Sequence, residues 1–76
     1  MWSEERIRSA LETKEEALVN ARVQLKTAEA WLQSGLHMNA ADFVSAAYKD
    51  VQKNELLVLR LEEQVKVLTA ILDIQK

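Results

Sequence analysis

The sequence predicts an all-α fold: an antiparallel two-helix hairpin, held as a helical coiled coil, that assembles into a four-helix bundle or larger helical oligomer. Three observations predict it. Proline is absent and glycine occurs once, while Ala, Leu, Glu, Lys and Gln abound, so little interrupts a helix. Apolar residues recur at alternating spacings of three and four along most of the chain, the signature of an a/d seam. A single break, running from Ser34 to Asn39, divides the sequence into two similar halves, and a short connection makes antiparallel neighbours.

The first helix is predicted over 4–34. Ser3 is its cap, Glu4 and Glu5 face the positive end of the helix dipole, and Trp2 is placed to staple onto Ile7. Its seam is Ile7, Leu11, Lys14, Leu18, Ala21, Leu25, Ala28 and Leu32. The turn is predicted over 35–39. Gly35 takes the left-handed conformation there, which brings Leu36 back onto Trp31 in a Schellman ending. Asn39 is then expected to cap the second helix, with Asp42 in its first turn and Met38 stapled onto Phe43.

The second helix is predicted over 40–74, with Val44, Ala47, Val51, Asn54, Val58, Leu61, Val65, Leu68 and Leu72 along its seam. Each helix is about 45–50 Å long at 1.5 Å per residue. Folding at 36–39 sets Leu32 near Val44, Leu25 near Val51, Leu18 near Val58 and Leu11 near Val65. The two seams meet in register.

At 76 residues the chain is one small domain, and domains of this size often need a staple, a metal or a partner. Cysteine is absent, so no disulfide or thiolate site supplies that help. A reducing cytoplasm suits such a composition. The net charge is −2, with no basic excess or clustered Lys/Arg face, so nucleic acid is not an expected partner. Residues 1–15 contain no apolar stretch of the signal-peptide kind, and no apolar run approaches the ~20 residues that span a bilayer. No membrane partner is expected.

The second helix is more apolar than one seam requires. Leu56, Leu59, Val67, Ala70 and Ile74 form a second stripe on the helical wheel, roughly opposite the first, and Leu57 and Ile71 widen the seam on one flank. The first helix adds a smaller face of Val19, Val23 and Ala30. Scattered surface aliphatics are ordinary, but these line up. Leaving four large ones in water forgoes ~1.5–3 kcal/mol each. The expected protein interface is therefore Leu56, Leu59, Val67, Ile74, Leu57, Ile71, Val19 and Val23.

Lys14 and Asn54 interrupt the seams. A polar residue at such a position sets register and oligomeric state at some cost in stability. They are read as buried polar specificity positions. Lys14 either snorkels its ammonium to water, meets a partner across an interface, or marks an anion-binding groove. Trp31, Phe43 and Tyr48 gather at the turn end, as a plug closing the bundle or as a recognition patch; the plug is preferred.

Residues for catalysis are scarce. His37 is the sole histidine, without the companions a metal site needs or the triad a serine nucleophile needs. One glycine cannot make a phosphate-binding loop. Glu4-Glu5, Glu15-Glu16 and Glu62-Glu63 diverge by about 100° on a helix and are solvated charges; Glu62 has Lys66 as an i,i+4 partner. No catalytic residue, metal or cofactor is expected.

In length and layout the chain is similar to the short hairpin co-chaperones of type III secretion needles, though it carries no motif diagnostic of them. Trp31-Leu32-Gln33-Ser34-Gly35 also lacks the W-x-G spacing of secreted WXG hairpins. The expected function is a non-enzymatic protein-interaction module, a small homo-oligomeric adaptor or scaffold. The alternatives are a co-chaperone or accessory subunit that pairs its helices with a larger protein, and an oligomer binding a small anion at Lys14, Arg22 or Arg60.

Overall fold

The computed structural model describes residues 3–75 and shows two helices, α1 (Glu4–Met38) and α2 (Ala41–Gln75), lying antiparallel against one another. The hairpin measures 55 × 15 × 14 Å, with a radius of gyration of 16.9 Å. A compact domain of this length would have a radius near 11 Å. The molecule is a rod, two helices thick.

α1 begins as its sequence predicts. Ser3 has extended backbone and its hydroxyl accepts from the Arg6 N–H at 3.2 Å, satisfying one of the amides that no helical carbonyl can reach. Arg8 donates to Glu4 Oε1 at 2.8 Å one turn later. The proposed staple involves Trp2, outside the described residues; its other half, Ile7, is almost wholly buried.

Every predicted seam residue is buried or half-buried. The best-enclosed stretch lies near mid-rod, where Leu18, Ala21, Val58 and Leu61 cluster with Ala17, Leu25 and Val65 packed around them. Periodicity of side chains every three and four residues has one physical meaning here: each helix turns the same stripe toward its single neighbour.

The turn differs from the sequence expectation. Gly35 is helical, not left-handed, and α1 runs on through Leu36 and His37 to Met38. The left-handed residue is Asn39, at φ 58° and ψ 36°. Asparagine tolerates that region better than other residues with a side chain. The Ala40 N–H donates to the Gly35 carbonyl at 3.2 Å and the Asn39 N–H to the Leu36 carbonyl at 3.3 Å. This is the Schellman pattern, formed four residues later than predicted. Asn39 therefore closes α1 instead of capping α2, and the Met38–Phe43 staple that depended on that cap loses its frame. Ala40 takes the capping position of α2: its carbonyl accepts the first bond, from Val44 N–H at 2.9 Å.

Gly35 has a different purpose. It is buried, and a Cβ at this position would stand 2.6 Å from Phe43 Cδ1 and 3.1 Å from Val44 Cγ2. Glycine is what lets α2 press its first turn against the last turns of α1. The contact also sets Val44 opposite Gly35, three residues beyond the Leu32 that the sequence register assigned to it. The hairpin folds about Asn39–Ala40, so the level partner of each α2 residue moves by about one turn.

Two outcomes test this account. Gly→Ala in an open helix stabilises by about 1 kcal/mol, yet Gly35→Ala is expected to lower the melting temperature, and to stop doing so when Phe43→Leu clears the space. Ala40→Asp supplies the missing side-chain acceptor at the start of α2, and is expected to add about 1 kcal/mol in chemical denaturation. An unchanged midpoint for Ala40→Asp would mean that the first turn of α2 is satisfied in another way.

Candidate interaction surfaces

With the buried stripes assigned to a and d, the remaining heptad letters sort the rest of the surface. In an antiparallel pair the e positions of both helices share one flank and the g positions share the other. The e flank carries Arg8, Glu15, Arg22, Glu29 and Leu36 from α1, and Tyr48, Glu55, Glu62 and Thr69 from α2. Across it Arg22 meets Glu62 at 3.6 Å, so Glu62 reaches the other helix where the sequence pairs it with Lys66. Both side chains are about half exposed, and such a pair contributes less than about 1 kcal/mol. This flank is a wetted, charged side.

The g flank has another character. From α1 it carries Ala10, Ala17, Gln24, Trp31 and Met38; from α2 it carries Phe43, Asp50, Leu57, Gln64 and Ile71. Trp31 and Phe43 meet edge to face, with ring centroids 6.0 Å apart and planes at 69°. Beside them runs a shallow groove floored by Ala28, Ala46 and Ala47 and edged by Asp50. It continues along Gln24, Thr27, Lys53, Asn54 and Leu57. Ala10 and Ala17 are half-buried. Toward the open end of the rod, Arg6, Ser9, Ala10, Thr13 and Lys14 line a second shallow groove.

Trp31 is 57% exposed and Tyr48 is exposed as well. The plug that the sequence suggested is therefore incomplete in the single hairpin. Trp31 and Phe43 form one ring pair on the g side, and Tyr48 sits at an e position on the opposite flank. Heptad phase separates them, because residues 43 and 48 differ by five positions.

The expected interface residues all lie in solvent. Leu56, Leu59, Val67 and Ile74 are 64%, 62%, 50% and 83% exposed, and Val19, Val23, Leu57 and Ile71 are exposed too. Leu57 and Ile71, at g positions, are the least exposed of the eight. They join the groove flank to the outward strip, so the apolar surface of α2 is continuous from one flank to its outer face.

Lys14 and Asn54 hold seam positions and are half-buried. Among the described residues no polar or charged side chain is fully buried, because a two-helix seam is open along both sides. Asn54 Nδ2 donates to the Asp50 carbonyl, one turn back in its own helix, at 2.8 Å. Lys14 borders the open-end groove with Arg6. Gln64, which sequence reasoning passed over, has a side-chain Oε1 buried without a hydrogen-bond partner. Its g position, shared with Ala10, Ala17, Leu57 and Ile71, was the available signal.

His37 lies exposed in the last turn of α1. Among the described residues no three His, Cys, Asp or Glu side chains are placed to hold a metal ion, and no helix is long and apolar enough to cross a membrane.

Replacing both seam polars, Lys14→Leu with Asn54→Leu, is expected to raise stability by about 1–2 kcal/mol while broadening the mass distribution in sedimentation. A single sharp species of unchanged mass would show that neither residue sets the register.

No protein-family model, curated protein or solved structure matches this chain, and what its surfaces do is read from its own residues.

Proposed function

We propose that the chain is a non-enzymatic protein-interaction module: a helical hairpin that self-associates through the apolar surface of α2 and acts as a small adaptor or scaffold. The observation that carries this reading is the line of Leu56, Leu59, Val67 and Ile74, each half exposed or more. Their exposure follows from architecture, since each helix has only one neighbour to cover it.

Area supports the same reading. The chain exposes 6115 Å², whereas a compact monomer of 8.7 kDa exposes about 4,700 Å² by the usual scaling. The excess is roughly 1,400 Å², and each partner in a standard interface gives up about 800 Å². Association thus has ample surface to use. Burying four aliphatic side chains contributes ~1.5–3 kcal/mol each before the cost of association. Helices of a larger protein would be chemically suitable for the same strip, which is the co-chaperone alternative; the purified chain alone separates the two.

Sedimentation of the purified chain is expected to show a discrete oligomer. Leu59→Glu combined with Val67→Glu is expected to reduce its mass while circular dichroism remains strongly helical. A wild-type chain that stays monomeric at high concentration, with its helices intact, would overturn the self-association reading.

A further inference from the structure

We infer that the g flank is a second self-interface, on which another copy of this chain lies antiparallel about a twofold axis passing beside Leu57. The inference rests on the self-association reading and adds to it a surface, an orientation and a set of partners.

Size complementarity carries it. Run α1 antiparallel against α1 of a second copy, and the g residues pair large with small: Trp31 falls on Ala10, and Gln24 on Ala17. The centre of those pairs lies between residues 20 and 21. Run α2 against α2 in the same way, and Phe43 falls on Ile71, Asp50 on Gln64, and Leu57 on itself. The centre of those pairs is Leu57. Within one hairpin, with Gly35 opposite Val44, Leu57 stands level with residue 22 of α1. The two centres therefore agree to about 2 Å along the rod, so one twofold axis serves both helices.

The polar groups agree as well. Gln64 has its Oε1 buried and unpartnered in the single hairpin. When the Gln64 side chain turns outward against the second copy, its amide nitrogen donates to the Asp50 carboxylate and its oxygen accepts from Lys53, which lines the same groove as Asp50. The open-end groove comes to rest over the turn-end groove, which brings Arg6 and Lys14 near Asp50, with Lys53 a like charge beside it.

The alternative stacking, with both turns at one end, puts two copies of the Trp31–Phe43 pair in one layer and the Ala10 and Ile71 side chains of both copies in the layer at the other end. Antiparallel stacking instead sets each Trp31–Phe43 pair against Ala10 and Ile71 of the other copy, so the four large rings are shared between the two ends and not crowded into one, which suits close packing better. A flank 55 Å long and 15 Å wide covers about 800 Å², the share of one partner in a standard interface. The outward face, with Leu56 and Leu59, remains free to join such pairs into a larger assembly.

The chain has no cysteine, so one introduced thiol reports one distance. Leu57→Cys is expected to form a covalent dimer under mild oxidation, with helix content retained, whereas His37→Cys is not, because the turns lie at opposite ends of the rod. Covalent dimer from His37→Cys and none from Leu57→Cys would overturn the antiparallel orientation. Neither variant cross-linking, in a chain that sediments as an oligomer, would overturn the g-flank interface and leave self-association standing. Neither cross-linking in a monomeric chain would overturn both.

A size swap provides a second readout. Ala10 and Trp31 are separated by roughly 31 Å along α1 and cannot touch within one hairpin. Ala10→Trp is expected to weaken association by about tenfold or more, and adding Trp31→Ala is expected to restore most of it. Simple additivity of the two changes would overturn the pairing, since coupling over that distance requires the second copy.

Discussion

One seam between two helices is the constraint from which the rest of this structure follows. Each 35-residue helix has a single neighbour, so only its a and d stripe is withdrawn from water. At the turn this seam closes tightly enough that Gly35 leaves no room for a methyl group against Phe43. At mid-rod it closes over Leu18, Ala21, Val58 and Leu61. Everywhere else a helix surface of some 10 Å diameter is half uncovered. A globular chain hides its surplus aliphatics by adding layers. These two helices form a single layer pair, and their surplus is presented outward.

The surplus is not spread evenly. Charged and hydroxyl side chains occupy the e flank except at Leu36, and there Arg22 and Glu62 bridge the helices. The g flank is mainly apolar, with alanines, Leu57, Ile71 and the Trp31–Phe43 pair set among Gln24, Asp50 and Gln64. An exposed ion pair contributes a fraction of a kcal/mol, while each covered aliphatic contributes several times that. The energetic incentive to find a neighbour therefore points to the g flank and the outer face of α2, and away from the e flank. The half-buried seam positions Lys14 and Asn54 are consistent with this. A charged or amide head tolerates a seam that opens to water at its edge, where a closed core would impose the full desolvation cost.

The turn shows how local chemistry and packing divide the work. Read locally, Gly35 is the natural helix terminator and Asn39 the natural cap, since glycine enters the left-handed region freely and asparagine accepts amide hydrogen bonds. Packing reverses the roles. The missing Cβ of Gly35 is needed for the approach of Phe43 and Val44, and the left-handed φ falls to Asn39. Both residues are used for properties that they have. The property selected at each position depends on a neighbour distant in sequence until the chain folds back.

What the chain's order of residues determined alone was whatever depends on periodicity and nearest neighbours. The two helices, the antiparallel hairpin, the membership of both seams, the Ser3 cap and the solvent-facing aliphatics all follow from spacing along one helix. That spacing is a local property. What only the tertiary structure decided depends on the angle and depth at which the helices meet. This covers the end of α1 at Met38, the one-turn change in register about Asn39–Ala40, the cross-helix ion pair of Glu62 with Arg22, the edge-to-face pairing of Trp31 with Phe43, and the burial of the Gln64 Oε1. These arise because a helix presents its flanks to a neighbour only once that neighbour is in place, and a single Cβ too many at Gly35 would have placed it elsewhere.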